Sequence, residues 1–465
     1  MDFLRTRAGR SLSSSDTSLG QGAPAQAPVP GGRLRRALSH PIGQNVIALY
    51  GLQIATFVMP LVTLPYVARV LRPASFGLVV YTQGLAFVLL LCIDWGFGFT
   101  AVREVAAARD DPAALAEIVA RVRGAQLVLS AASAPVAILA LLAVPKASSH
   151  PDFLVLAWIA AVTSGLAPSW YFVGIERMRL SSAISVGFRA LGAGLTFLLV
   201  KGPGDGWIVM AIFAGSSAAS LLALDYRMYR RVRFRVPRLR TSLGALKGAT
   251  TLFVCTVAAS LYTSFNVVLL GFFAPTAAIA HFSAAEKLVR VSLQVLGPIG
   301  TAVYPRLAAL QARREHERAR QLLTVAGVAA AGGGLVLAGA LALFAPLVIR
   351  ILYGGAFVHA SVPILRVFVL VIPLGILGVT CGSWLMTLHM DRRAMVIVLR
   401  AGILNVVLAC VLTPLLGPIG MAWSVVCAEA TAAIGAMVAV ARVSRDPELG
   451  LRVRSRSGVR KSAAT

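Results

Sequence analysis

Residues 281–305 read HFSAAEKLVRVSLQVLGPIGTAVYP. Most of the stretch is apolar, and it is long enough to cross the hydrocarbon core of a bilayer, which takes about 20 residues. Yet Glu286, Lys287 and Arg290 sit inside it, within about one helical turn of each other. A charge costs about 2.5–3.5 kcal/mol at a lipid-facing helix centre. A chain that keeps an acid and two bases there must pair them or turn them towards water.

The whole chain has the same character. Of its 465 residues, 58% are hydrophobic and only 13% are charged, against about 25% charged in an ordinary soluble domain. Mean hydropathy is +0.80. Apolar stretches follow one another almost from end to end, which leaves no room for a separate soluble domain. The composition therefore predicts an all-α integral membrane protein. The net charge of +26 does not point to nucleic acid, because the bases lie in short runs between apolar stretches, as membrane topology requires.

Twelve spans are expected, at 42–68, 76–98, 125–144, 153–173, 182–200, 206–225, 248–273, 279–304, 323–345, 361–387, 395–416 and 419–441. With the N-terminus in the cytoplasm, the inside segments hold 34 of the 44 Lys and Arg and the outside loops hold five. That asymmetry predicts a multi-pass protein with both termini cytoplasmic. Residues 1–41 are rich in Ser, Gly, Pro and Ala, with scattered arginines and no apolar core after them. They read as a disordered basic cytoplasmic tail and not as a cleavable signal; residues 442–465 read as a second basic tail.

The longest internal basic run, 227–247, divides the chain into six-helix lobes at 42–226 and 248–441. A faint repeat agrees with this division. Thr100-Ala101-Val102 meets Thr301-Ala302-Val303 at a shift of 201 residues, and Gly96 meets Gly297. Parallel halves of this kind are a transporter design. Prolines 60, 65, 168, 298 and 373 fall within spans, where they bend helices or free carbonyls for neighbours. Asp111-Pro112 is a helix start, and the AALAEIVARVRG after it reads as an amphipathic helix on the membrane surface or a solvated connector.

Eight charges fall inside the spans and away from their terminal residues: Asp94, Arg189, Glu286, Lys287, Arg290, Arg366, Arg400 and Glu429. Arg366 and Arg400 are near enough to span ends to snorkel. Arg189, Arg290 and Glu429 are central, so they are expected to face partners or water. Glu286 and Arg290, four residues apart, suit an intrahelical ion pair, which leaves Lys287 without an explanation. Five bases against three acids favour an anionic head group, and the acids are candidates for proton or sodium coupling. Asn45, Asn266 and Asn405 also fall in spans, where they join helices or meet sugar hydroxyls. The five cysteines read as packing residues, and the six histidines show no metal-ligand spacing. Neither a cofactor nor a metal is expected.

Four segments carry a resemblance: PLVTLPYVARVLRPASFG (60–77), DWGFGFTAVREVAAARDD (94–111), WYFVGIERMR (170–179) and FSAAEKLVR (282–290). In order and spacing they resemble the polysaccharide biosynthesis flippases, the bacterial O-antigen translocase type of the multidrug/oligosaccharidyl-lipid/polysaccharide exporter superfamily. The likeness covers residues 42–441. Two positions depart from it: Arg72-Pro73 replaces a glycine-acid pair, and Val173 stands where glutamine is frequent. The resemblance implies two six-helix lobes around a central cavity that opens alternately to each side of the inner membrane. It also implies a substrate, an oligosaccharide on undecaprenyl pyrophosphate, with a polysaccharide polymerase and chain-length machinery as further partners. It places Lys287 and Arg290 on the pyrophosphate, Asp94 and Arg103 at a cytoplasmic gate, and Arg69 at an outer gate. Depth and charge add Arg189 and Arg366 as substrate-binding candidates and Glu286 and Glu429 as gating or coupling candidates.

Three rivals are weighed against this reading. A multidrug or cation antiporter of the same fold would need an acidic cavity. A membrane enzyme would need a catalytic constellation near the interface. The outside loops hold only Asp152 and Asp205 as acids, and no GxxxxGK[ST] motif is present. A passive scaffold does not account for the central charges.

Overall fold

The computed structural model describes residues 41–143, 148–313, 315–388 and 390–445. Most of the two expected tails, and Lys146, lie outside the described residues. Among the described residues there is helix and no strand.

The first helix, α1, is assigned to Pro41–Asp94, but Arg72 inside it is non-helical at φ 60°, ψ 168°. Proline disfavours the helical region for the residue before it, so Arg72-Pro73 divides α1 where the expected spans 42–68 and 76–98 part. The second stretch stops at Trp95 and Gly96, both at positive φ, a conformation that glycine adopts without steric cost. α2 (Phe97–Ala107) follows.

Helix α3 (Pro112–Ala143) begins at Asp111, whose Oδ1 accepts the N–H groups of Ala113 at 2.8 Å and Ala114 at 3.1 Å. This carboxylate satisfies two of the donors that any helix start leaves open. The surface helix expected after Asp111 is not separate: it runs on into the span. Its Leu115, Ala116, Val119 and Val122 are buried with Phe97, Ala101 and Val105 of α2. An amphipathic period shows that a face is covered but not by what, and here protein covers it.

α4 (Pro151–Leu166) and α5 (Ser169–Gly174) are parted by Ala167-Pro168. α6 (Met178–Leu199) and α7 (Gly206–Tyr229) flank a turn held by Asp205. Its Oδ2 accepts the N–H of Lys201 at 2.8 Å and of Gly202 at 2.7 Å, and these bonds hold its carboxyl below the usual range.

The second half of the chain begins with α8 (Leu239–Thr263), so the end of the expected linker 227–247 is already helical. α9 (Asn266–Phe273) and α10 (Thr276–Ala312) follow. Next come α11 (His316–Leu343), α12 (Ala345–Tyr353), α13 (Gly355–Phe368) and α14 (Val371–Thr387). α15 (Asp391–Leu416) and α16 (Pro418–Arg445) complete the order.

Among the described residues, nine helical runs are long and apolar enough to cross a membrane. The first, Met59–Ala107, holds two of the expected spans. The spans expected at 248–273 and 279–304 coincide with α8–α9 and α10. Leu198, Leu222, Val336, Leu343 and Leu415 are exposed, which suits helices whose outer solvent is lipid.

The main core joins the two halves: Val67, Leu71, Phe76 and Tyr81 pack in one cluster with Leu270, Ile279, Phe282 and Phe357. After Pro73, α1 runs antiparallel along α9 and α8. Gly77 meets Thr276, Tyr81 meets Gly271, Gly84 meets Val267 and Val268, and Trp95 meets Phe253. A Cβ at Gly77 would overlap the Thr276 carbonyl, and one at Gly271 would overlap the Tyr81 ring. Glycine is needed at both positions for the approach of backbone and ring.

Candidate functional site

Glu286 is buried on α10. One turn on, Arg290 reaches back to it, with Nη2 2.9 Å and Nε 3.1 Å from Oε1. Spacing of i and i+4 puts the two side chains on one face, and a charge-assisted bond through two nitrogens is a strong one. Glu429, partly buried on α16, lies within electrostatic reach of Arg290.

Lys287 is exposed. Its direction follows from helix geometry. Near its start, α10 meets Gly77 through Thr276 and Ala280. Lys287 comes eleven residues after Thr276 and seven after Ala280. At 3.6 residues per turn both intervals return it to the same face, about 10 Å further along. So the face that closes on the first half of the chain at one end carries an open lysine lower down, with Gln294 exposed below it.

Arg189 is exposed on α6. One turn earlier Ser185 meets Ser220 of α7, Oγ to Oγ 3.1 Å. The exposed Leu191, Leu195 and Leu198 lie on other sides of the helix. Arg189 therefore turns from the leucine stripe towards the interior of the first half. Arg366 is exposed on α13 in a stripe with His359 and Pro363, opposite the buried Ser361, Leu365 and Phe368. Among the described residues neither arginine forms an ion pair, and the structure does not bring them onto the α10 charges.

The gate candidates fall at opposite ends. Arg69 donates from Nε to the Leu352 carbonyl at 2.9 Å, tying α1 to the end of α12 beside Gly354. At the arginine-rich end, Asp94 is the last residue of α1, and its carboxylate lies beside Gly98 in the first turn of α2. Next to it Trp95 stacks on Phe253 and donates from Nε1 to Leu246 O at 3.2 Å. Arg103 is exposed on α2, beside Glu104, which pairs with Arg121.

One feature was missed in the sequence. Arg123, counted there as a loop base, is buried, and its guanidinium holds the Leu166 carbonyl and Asp225 Oδ1. Gln126 Nε2 donates to Gly165 O at 2.7 Å. The helix end made by Ala167-Pro168 leaves these carbonyls open, and α3 supplies the donors. A signal existed: an arginine and a glutamine three apart at a span start, with a proline-ended helix to serve. Two of the span asparagines do join helices: Asn405 Nδ2 donates to Asn266 Oδ1 at 2.7 Å, between fully buried residues of α15 and α9. Among the described residues no three His, Cys, Asp or Glu side chains converge.

The model of the polysaccharide biosynthesis protein family matches residues 42–311. A candidate O-antigen transporter of Shigella dysenteriae is 30% identical over 272 residues, 58% of this chain and 68% of that protein. Another, from Escherichia coli strain K12, is 27% identical over 397 residues, 83% of this chain and 93% of that protein. Two solved structures share the fold. One is a multidrug resistance MATE family transporter in an inward-facing conformation, at TM-score 0.63, 18% identity, and coverage of 84% of this chain and 95% of that one. The other is the lipid II flippase MurJ in an inward closed conformation, at TM-score 0.64, 16% identity, and coverage of 84% and 87%.

Proposed function

Because the chain belongs to the polysaccharide biosynthesis protein family, we propose that it is a flippase for a lipid-linked oligosaccharide. The substrate is an oligosaccharide on undecaprenyl pyrophosphate, moved from the cytoplasmic to the periplasmic leaflet of the bacterial inner membrane. It supplies O-antigen, capsule or exopolysaccharide synthesis, in which a polymerase and chain-length machinery act next. Support comes from the transporter names of the two relatives and from one observation in the molecule. Lys287 stands open on the α10 face that turns to the other half of the chain, one turn from Arg290.

Two lobes, 42–226 and 248–441, close in turn on the two sides, with both termini cytoplasmic. Lys287 and Arg290 take the pyrophosphate, with Arg189 and Arg366 as further contacts as the cavity opens. Arg69 on Leu352 O is the outer latch. Asp94, beside the turn before α2, and Arg103 belong to the inner one. Glu286 competes with the pyrophosphate for Arg290. A proton or sodium ion at Glu286 or Glu429 releases the guanidinium, which couples binding to an ion gradient.

The same cluster favours a second reading. Glu286 and Glu429 both lie near Arg290, and a cation or multidrug antiporter would use such carboxylates. One experiment separates the two. A deletion strain is rescued with wild type or Arg290→Ala, and lipid-linked oligosaccharide is quantified by mass spectrometry, with its periplasmic accessibility scored in spheroplasts. The flippase reading expects trapped lipid-linked sugar in the deletion and poor rescue by the variant, scored per unit of protein in the membrane. Full rescue by Arg290→Ala removes that residue from the site. Altered drug or ion export with no trapped sugar makes the antiporter the function.

A further inference from the structure

A cleft of about 380 Å³ lies between α2, α3 and α8 at the arginine-rich end, within the range of small-molecule sites (about 300–1,000 Å³). It exists because of the side chains that α8 lacks. Thr241, Gly244, Ala245 and Gly248 line it, and their spacing puts them on one helix face. A Cβ at Gly244 or Gly248 would meet nothing within 4 Å. The opposite wall is charged, with Arg103, Glu104, Glu117 and Arg121.

These charges are not all used within the protein. Arg121 gives Nη2 to Glu104, and its Nε is closed off from solvent. Arg103 and Glu117 are exposed, and neither forms an ion pair among the described residues. The cleft therefore offers an uncommitted guanidinium and an uncommitted carboxylate. A simple anion would satisfy Arg103 and be repelled by Glu117. A simple cation would satisfy Glu117 and be repelled by Arg103. A ligand with a phosphate and a primary ammonium a few bonds apart satisfies both.

The position agrees with a lipid source. The cleft lies where the membrane-crossing helices give way to the basic segments, at head-group depth. Phe99 and Leu243, beside its lining residues in sequence, are exposed apolar side chains on which acyl chains can lie.

We propose that this cleft binds the head group of a phosphoethanolamine-type phospholipid. The phosphate accepts from Arg103, and the ammonium donates to Glu117. The bound lipid ties α2 and α3 to α8, next to the stack of Trp95 on Phe253. The inference stands on the cleft and does not depend on the transport reading.

The test is native mass spectrometry of the purified full chain with matched-acyl phosphatidylethanolamine, phosphatidylglycerol and phosphatidylcholine, with O-phosphoethanolamine and inorganic phosphate as soluble competitors. Wild type should retain the ethanolamine lipid about tenfold better than either other lipid, a difference of about 1.4 kcal/mol. O-phosphoethanolamine should displace it and inorganic phosphate should not. Glu117→Gln, an exposed change that leaves the fold intact, should erase the preference over phosphatidylglycerol. Gly244→Leu should fill the cleft and lower retention to that of phosphatidylglycerol; Gly248→Leu repeats this test should the first variant not fold. Equal retention of the three lipids, or an unchanged preference in Glu117→Gln, overturns the proposal. Displacement by inorganic phosphate as effective as by O-phosphoethanolamine makes the cleft a free-phosphate site instead.

Discussion

Trp95 and Phe253 are stacked, with ring centroids 3.9 Å apart and planes 10° from parallel. They are 158 residues apart in the chain and come from different halves of it. Trp95 reaches this position through a positive φ followed by Gly96 at φ 79°, so the turn and the stack form one device.

That device should be measurable as stability. An aromatic pair contributes about 0.5–1.5 kcal/mol beyond its buried area, and a hydrogen bond contributes about 1 kcal/mol. Trp95→Phe keeps a ring and loses the bond to Leu246 O; Trp95→Ala loses both. Thermal melts of the detergent-purified protein should rank wild type above Trp95→Phe above Trp95→Ala. Identical melts for all three would show that the two halves do not depend on this contact.

The ion pair on α10 makes a different prediction. Removing one partner of a buried pair strands the other, at about 3–5 kcal/mol. Glu286→Ala or Arg290→Ala alone should therefore destabilise strongly. Glu286→Gln with Arg290→Gln should cost less than the two single alanine changes added together. Unfolding midpoints for the singles and the double measure the coupling, and strict additivity would mean that the pair is not formed.

Lys287 separates folding from function. It is exposed, and exposed substitutions usually change stability by less than about 0.5 kcal/mol. Lys287→Ala should melt as wild type does yet rescue a deletion strain poorly. Lys287→Arg, which keeps the charge, should restore much of the rescue. Full rescue by the alanine variant would place the lysine outside the substrate path.

Close approach at Gly77 is testable by adding one methyl group. Gly77→Ala should force α1 away from Thr276 and lower stability by about 1–3 kcal/mol, as overpacking does. Gly194→Ala, on a helix position with nothing within 4 Å, should be neutral or slightly stabilising, because alanine is the better helix former. Equal melts for the two variants would mean that the seam is looser than its geometry.

Much of this fold was legible in the order of residues. Hydropathy located the helices because lipid leaves backbone groups no other partner. Arg72-Pro73 marked a break because proline restricts its neighbour. The Glu286–Arg290 pair followed from spacing alone. The break at Ser264-Phe265 could not be seen, since no proline or glycine stands there and tertiary packing sets it. Arg123 was hidden for a related reason. A count of bases by loop gives every arginine the same meaning, whereas its partners Leu166 and Asp225 lie 43 and 102 residues away. Arg189 and Arg366 were picked by depth, which ranks the cost of a charge but not its direction around the helix. The rotational position of Lys287 needed the contact of Thr276 and Ala280 with Gly77 to define a face.

The glycine contacts at Gly77 and Gly271 also restrict traffic. Where one backbone lies against another, and a backbone against a tyrosine ring, no hydrocarbon chain passes between them. A cargo that keeps its isoprenoid tail in the bilayer while its head crosses needs a slit in the wall along the whole journey. Along α9 that wall is sewn shut, so the slit has to run elsewhere.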